Sequence, residues 1–223
     1  MATIPVRELK IGVIIDKTFG VLEHSARAAL LYVAALSAVT ISFTYYTLEM
    51  TAVKQQLIGA GVTFLVGIIA GYLVLEAMLR ATGLRTRDGD AVFFSYLGLT
   101  ILSTLGVMLG FILIVLPGIF LMIRWMMAPA ILVGRGVSPT KALGESWERT
   151  RGNEFSIFGA AFTILIAMII IRIVSSALFD DKNLVGIIVT QIAANTTSLV
   201  IQAMGVALYG MIGGAQPVAP AAA

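Results

Sequence analysis

Five long apolar segments dominate the sequence and constrain its fold more than any other feature. A helix that crosses the roughly 30 Å hydrocarbon core of a membrane needs about 20 mostly apolar residues. Five stretches meet this requirement, namely 28–48, 57–79, 92–134, 155–178 and 184–212. Hydrophobic residues make up 59% of the chain and charged residues 12%, whereas soluble domains are about half apolar and about a quarter charged. The sequence therefore predicts a helical membrane protein.

The third apolar segment is too long for one span and has the length of two. Leu116-Pro117-Gly118 stands near its middle. Proline lacks the amide hydrogen that a helix interior needs, and glycine tolerates a left-handed backbone, so these residues predict a tight turn. Two spans, 92–115 and 119–134, then replace one. The predicted fold class is all-α, a polytopic bundle of six transmembrane helices.

Lysine and arginine are distributed unevenly between the two sides that six spans define. One side receives the N-terminal segment, the second and fourth loops and the C-terminal tail, whereas the other side receives only Lys54 and Lys182. The first side carries eleven basic residues, namely Arg7, Lys10, Lys17, Arg27, Arg80, Arg85, Arg87, Arg135, Lys141, Arg149 and Arg151. Because cytoplasmic loops carry the lysine and arginine excess, both termini are predicted to be cytoplasmic.

Three segments lie outside the predicted spans. Residues 1–27 form an N-terminal segment on the cytoplasmic side, and apolar positions recur at helical spacing between residues 4 and 27, which predicts an amphipathic helix on the membrane surface. Residues 138–152 predict a short interfacial helix whose Leu143 and Trp147 face lipid. The six-helix domain is expected to occupy 28–212. Residues 213–223, rich in glycine, proline and alanine, predict a disordered tail.

Two arginines, Arg124 and Arg172, remain inside predicted spans. Each lies about six residues from the outer end of its span, or roughly 9 Å deep. A charge at this depth costs at least a few kcal/mol, so it faces the bundle interior or reaches towards the surface. Arg172 has a structural explanation in Asp180 or Asp181, and Arg124 in carbonyls freed by a break at Pro117. The functional alternative is a site for an anion or a lipid headgroup in the outer half of the bundle.

Polar residues form a stripe along the last span. Gln191, Asn195, Ser198 and Gln202 share one helix face, which Gly205 and Tyr209 continue. Such a face avoids lipid, so the stripe predicts hydrogen bonds between helices or across a subunit interface. A polar pocket shared by Gln191 and Asn195 with the two arginines is the alternative.

Small residues and one acidic residue predict local contacts between or within helices. The pair Gly106 and Gly110 in the third span and the stripe Thr63, Gly67 and Gly71 in the second predict close helix packing. Glu76 has Arg80 four residues later, a spacing that predicts an ion pair.

The residues required for common catalytic chemistry are missing from the sequence. The chain has no cysteine and a single histidine, His24, which cannot form a metal site alone. We find no nucleophile–histidine set, phosphate loop or pair of membrane-embedded acids. No catalytic residue, metal or cofactor is therefore expected. Nucleic acid is not an expected partner, because the basic residues lie between apolar runs and form no single patch.

A block of about 37 residues around the fourth span resembles a known family. It contains Leu116-Pro117-Gly118-Ile119, Ile123-Arg124-Trp125, Ala128-Pro129, Leu132-Val133, Gly136, Ala142-Leu143, Ser146-Trp147 and Thr150-Arg151-Gly152. This block is similar to the bacterial YciC-like inner-membrane proteins and to the membrane domain fused to some glycerophosphodiester phosphodiesterases. The resemblance implies a six-helix protein of the bacterial inner membrane without established activity. It also implies a shared framework of Pro117, Gly118, Arg124, Pro129, Ser146 and Gly152.

These observations favour a noncatalytic integral membrane protein that acts as a scaffold, an accessory subunit or an envelope-maintenance factor. Membrane lipid, a second copy of the chain or another membrane protein are its expected partners. The alternative is a carrier or lipid-handling protein that binds an anionic group through Arg124 and Arg172. The sequence contains no soluble phosphodiesterase domain, so the resemblance does not imply phosphodiester hydrolysis.

Overall fold

The computed structural model describes residues 8–47, 50–87, 92–113, 115–179 and 183–212, and within these ranges all regular structure is helical. The helices are α1 Ile11–His24, α2 Ala26–Tyr46, α3 Ala52–Ala81, α4 Phe93–Leu113, α5 Val115–Trp125, α6 Ala128–Arg135, α7 Pro139–Arg149, α8 Glu154–Leu178 and α9 Leu184–Ile212. Six segments are long and apolar enough to cross a membrane, namely Ala26–Tyr46, Gly61–Ala81, Phe93–Leu113, Val115–Arg135, Glu154–Leu178 and Leu184–Ile212. The predicted six-span helical bundle is confirmed. The predicted disordered tail lies outside the described residues.

The turn between the third and fourth spans lies earlier than the sequence predicts. α4 ends at Leu113 and α5 begins at Val115, so Pro117 and Gly118 lie within the first turn of α5. Proline is accepted there, because the first amide groups of a helix have no partner within it. Gly118 serves helix packing instead of chain reversal, since a Cβ atom on Gly110 would lie 2.9 Å from the Gly118 Cα atom.

The fourth span is broken, although the sequence predicted one helix over 119–134. α5 ends at Trp125 and α6 begins at Ala128, with Pro129 as its second residue. Proline has no amide hydrogen to donate to the carbonyl of Trp125 four residues earlier, so the two helices cannot run on as one. The Arg124 carbonyl, next to this break, accepts a hydrogen bond from Ser146 Oγ of α7 at 2.6 Å.

α1 packs into the bundle instead of only resting against the membrane. Ile14, Thr18 and Val21 are buried, and the Leu9 amide donates to Asn153 Oδ1 at 2.7 Å, just before α8 begins. Part of the predicted apolar face is left uncovered, with Phe19 54% exposed. α1 thus has one face against protein and a second apolar flank available to lipid.

The basic loops come together at one end of the bundle, which we call the basic end. The amides of Thr86 and Arg87, after α3, both donate to the carbonyl of Gly134 near the end of α6. Arg149 Nη1, at the end of α7, donates to the Ile212 carbonyl at the end of α9. Together with the contact between the N-terminal segment and α8, these bonds place the predicted basic loops on the same side.

Gly205 marks the closest approach of α9 to the break in the fourth span. A Cβ atom at this position would lie 2.7 Å from the Met126 carbonyl oxygen, which is backbone and cannot rotate away. We therefore expect Gly205→Ala to lower the free energy of unfolding by about 1–3 kcal/mol, as overpacking does elsewhere. Unfolding in mixed detergent micelles measures this quantity.

Gly67→Ala is the matched control for that substitution. Gly67 also lies inside a spanning helix, but a Cβ atom there meets nothing within 4 Å. Because alanine has the higher helix propensity, this variant should be neutral or more stable by up to about 1 kcal/mol. Equal losses in the two variants would show that the contact with the Met126 carbonyl does not matter.

Candidate functional site

Arg124 is the centre of a compact group of side chains that we call the Arg124 node, comprising Phe120, Arg124, Ser146, Trp147 and Glu154. The Arg124 side chain is only 7% exposed, and its Nη2 atom lies 2.7 Å from Glu154 Oε1. Nη1 donates to the Trp147 carbonyl at 2.9 Å. The guanidinium carbon lies 5.0 Å from the ring centroid of Phe120 and 4.9 Å from that of Trp147. Charge, hydrogen-bond and cation–π contacts thus hold one cation from several sides.

The Arg124 node lies at the basic end, which corrects the predicted location of Arg124 in the outer half. Glu154 is the first residue of α8, so the guanidinium lies at the level where the fifth span begins. The sequence analysis explained Arg124 by hydrogen bonds to backbone carbonyls, and Arg124 does donate to one carbonyl. That carbonyl belongs to Trp147, and not to a residue freed near Pro117.

α7 supplies two residues of the Arg124 node, Ser146 and Trp147. Ser146 is fully buried and bonds to the Arg124 backbone, while the Trp147 ring meets Phe120 edge-on at 5.5 Å. Leu143 is buried, so the prediction that it faces lipid is wrong. Gly152 adopts a φ of 84°, which accommodates the turn from α7 into α8. Residues of the block that resembles a known family therefore form one structural unit.

Arg172 is far from this unit. It is exposed on α8, and within the described residues it makes no ion pair. Its predicted partners Asp180 and Asp181 lie outside the described residues. Because positions 154 and 172 are about 27 Å apart along a helix that rises 1.5 Å per residue, Arg172 and Arg124 do not share a pocket.

The polar stripe of α9 joins this helix to α2 in the half of the bundle opposite the basic end. Gln191 Nε2 donates to Thr44 Oγ1 at 2.9 Å, and Asn195 Nδ2 donates to Ser37 Oγ at 3.0 Å and to Thr40 Oγ1 at 3.3 Å. The structure therefore assigns Gln191 and Asn195 to contacts between helices. It does not bring them to Arg124, whose partners among the described residues belong to α5, α7 and α8.

Of the other four residues in the polar stripe of α9, three pack inside the bundle and one is exposed. Gly205 and Tyr209 are buried, and Gln202 lies against Gly71 of α3, where a Cβ atom would be 3.6 Å from its amide. Ser198 is exposed, so the stripe is not buried along its whole length.

Asn195 tests how much such a bond between helices contributes. Asn195→Ala removes both hydrogen bonds to α2, and we expect the free energy of unfolding to fall by about 0.6–1.7 kcal/mol. Thr196→Ala is the control, because Thr196 is partly exposed and bonds only to the Ile192 carbonyl of its own helix. An Asn195 variant as stable as the control would argue against a stabilising α2–α9 link.

Glu76 forms the predicted ion pair with Arg80 and two further pairs that the sequence analysis missed. Its Oε1 atom lies 2.9 Å from Arg80 Nη2 and 2.7 Å from Arg85 Nε, and its Oε2 atom lies 2.8 Å from Arg87 Nη2. Arg87 Nε also donates to the Val133 carbonyl at 2.8 Å. The available signal was a lone acidic residue in a span, followed by three arginines within the next loop.

A groove at the basic end was also missed. It has a volume of about 750 Å³ and lies between α1, the end of α3 and the end of α9. Two lysines and a histidine line it, namely Lys10 at the N-cap of α1, and Lys17 and His24 within α1. Their spacing of seven residues places them on one helix face, and this regularity was visible in the sequence.

The residues that line the groove and those of the Arg124 node can bind other groups. In neither region do the described residues form a known arrangement of catalytic side chains. Among the residues that the structure describes, no group of three or more histidine, cysteine, aspartate or glutamate side chains is placed to hold a metal ion. The chain matches no protein-family model, no curated protein and no solved structure. Similarity to YciC-like proteins thus stays a prediction from the sequence.

Proposed function

We propose that this chain is a noncatalytic integral membrane protein that acts as a scaffold, an accessory subunit or an envelope-maintenance factor. One observation carries this proposal. The Arg124 guanidinium, the cation most deeply buried in a span, is surrounded by Glu154, the Trp147 carbonyl and two aromatic rings of its own chain. Such a group stabilises helix contacts, and only the buried Nε atom of the guanidinium has no hydrogen-bond partner among the described residues.

The proposed location is the inner membrane of a bacterium with both termini in the cytoplasm. Six apolar helices make the chain a multi-pass membrane protein. The lysine and arginine excess at the basic end supports a cytoplasmic assignment for that end. The bacterial inner membrane is supported by the resemblance to YciC-like proteins.

A partner within the membrane has extensive surface to contact on the α4–α5 hairpin and on α8. Large apolar side chains on these helices are exposed, among them Leu109, Ile112, Ile170 and Ile173. Lipid covers such surfaces by default, so their exposure alone identifies no partner. It does define where a scaffold would make contact inside the membrane.

Site-specific cross-linking tests the proposal. The chain has no cysteine, so single cysteines at positions 109, 112, 170 and 173 react uniquely in native membranes. We expect at least one position to give a discrete dimer or a stoichiometric complex with a second membrane protein. Lys54→Cys, at the start of α3 and away from the exposed faces of α4 and α8, reports random collision. Products no more abundant than that background at all four positions would contradict the scaffold proposal.

The alternative is a carrier that binds an anionic group in the outer half of the bundle. Of the four residues assigned to it, Arg124 lies at the basic end, and Gln191 and Asn195 bind α2. Arg172 alone keeps an exposed cationic group in the outer half. The alternative therefore depends on whether Arg172→Gln weakens retention of anionic phospholipid by the purified protein in native mass spectrometry.

A further inference from the structure

The groove beside α1 has two chemically different walls. The α1 wall carries Lys10, Lys17 and His24, which are exposed and recur every seven residues, almost two helical turns. The opposite wall is mainly apolar and is formed by Ala81, Thr82, Leu84, Val206, Ala207, Gly210 and Met211. Successive basic side chains are spaced about 10 Å apart along the helix axis. Leu84, Val206 and Ala207 are buried within the bundle, so the apolar surface that the groove offers is a small patch on Ala81, Gly210 and Met211 beside the regularly charged rim.

The groove lies on the flank of α1 that carries its lysines, opposite the flank that carries the exposed Phe19. Ile11 contacts Gly159, which lies more than one turn into α8 and therefore within the fifth span. Phe19 is exposed on that same flank. Lys10 and Lys17 lie on the opposite flank of α1. The wall contributed by α9 ends at Met211, in the final turn of its span.

Charge and shape together select the occupant. The groove is lined by two lysines, one histidine and one acidic residue, Glu8, so its lysines outnumber its carboxylates. An apolar surface edged with cations complements an amphipathic helix whose apolar face is edged with carboxylates. Such helices bind in hydrophobic grooves through residues at regular helical spacing. A lipid molecule is the weaker candidate, because the groove flank lies opposite the lipid-facing flank.

We propose that this groove binds an acidic amphipathic helix of a water-soluble partner protein. The proposal rests on the scaffold function, for which it names a partner class on the aqueous side. Lys10 and Lys17 bind carboxylates on one edge of the partner helix, and the ends of α3 and α9 receive its apolar face. Binding weakens as salt concentration rises, because the lysines are exposed and their charges are screened.

A designed peptide pair tests this proposal directly. The probe is a fluorescent 18-residue amphipathic helix with a leucine face and glutamates at seven-residue intervals along one edge. The comparison peptide carries lysine in place of each glutamate. Fluorescence anisotropy with the full chain in phosphatidylcholine nanodiscs is expected to give at least tenfold tighter binding of the glutamate peptide. Equal binding of the two peptides, or no binding, would overturn the proposal.

Variants of the chain locate the binding surface. Lys10→Gln with Lys17→Gln should weaken binding of the glutamate peptide at least tenfold, whereas Lys54→Gln with Lys141→Gln should leave it unchanged. Gly20→Leu and Gly12→Leu form a second matched pair on α1, because a Cβ atom at either glycine meets nothing within 4 Å. Only Gly20 lines the groove, so Gly20→Leu alone should block binding. Equal effects within either pair would place the peptide elsewhere.

Lipid binding is a separate outcome of the same design. If native mass spectrometry shows anionic phospholipid retained through Lys10 and Lys17 while the glutamate peptide does not bind, the groove is a lipid site and the proposal is wrong. Failure of the peptide test leaves the cross-linking at positions 109, 112, 170 and 173 unaffected. The two proposals can therefore fail independently.

Discussion

Glu76→Gln is expected to lower the free energy of unfolding by about 3–5 kcal/mol, the usual cost of removing one partner from a buried ion pair. Glu76 is the shared acceptor for Arg80, Arg85 and Arg87. The Arg87 side chain is only 6% exposed, so water has little access to its guanidinium when the Glu76 carboxylate is lost. The loop after α3 should therefore separate from the end of α6, to which Arg87 also binds.

Unfolding in mixed micelles measures this loss, and two variants calibrate it. Arg80→Gln removes a pair whose arginine is 64% exposed, so it should cost only about 0.2–1 kcal/mol. Glu23→Gln removes an exposed carboxylate of α1 and should have no measurable effect. If Glu76→Gln and Arg80→Gln were equally mild, the cluster would be a surface pair with no structural role.

Glu154→Gln is the second substitution with a large expected effect. Arg124 keeps its bond to the Trp147 carbonyl and its contacts with aromatic rings, yet loses the only carboxylate that pairs with it among the described residues. Because the Arg124 side chain is buried, we expect a loss of about 3 kcal/mol, at the lower end for a broken buried ion pair. Trp125 and Trp147 are the only tryptophans, so tryptophan fluorescence reports unfolding at this site.

A matched control and a double variant separate charge from packing at Arg124. Glu148→Gln changes an exposed glutamate of α7 and should leave stability unchanged. Arg124→Met combined with Glu154→Leu removes both charges, and apolar replacement of a buried pair is often close to neutral. The double variant should therefore be more stable than Glu154→Gln alone. A double variant that is less stable would mean that hydrogen bonding of the guanidinium to Trp147 outweighs its charge pairing.

The spans were predictable because local properties determine them. Length, hydropathy and lysine and arginine placement are read directly from consecutive residues, and the bundle has the six spans that these properties predict. The break at Pro129 was also encoded locally, since proline in the middle of an apolar run disrupts a helix. The sequence offers two prolines in this segment, and the prediction assigned the turn to Pro117, a few residues after the place where α4 ends and α5 begins.

The partners of charged side chains were not predictable in the same way. Arg124 and Glu154 are 30 positions apart, and α7 folds between them, so no helical spacing relates the two residues. Arg80, four residues after Glu76, was found by spacing, whereas Arg85 and Arg87 reach the same carboxylate through a loop. The groove depends on how α1 meets the ends of α3 and α9. Such contacts are decided by packing between distant segments.

The break in the fourth span also constrains how the chain enters a membrane. α5 contains 11 residues, which reach about 16 Å at 1.5 Å per residue, roughly half of the hydrocarbon thickness. It is therefore too short to partition as an independent transmembrane segment. α4 is long enough, and Gly110 lets it approach Gly118 of α5 closely. To enter the bilayer, α5 therefore depends on α6, with which it makes up the span Val115–Arg135, and on its close contact with α4.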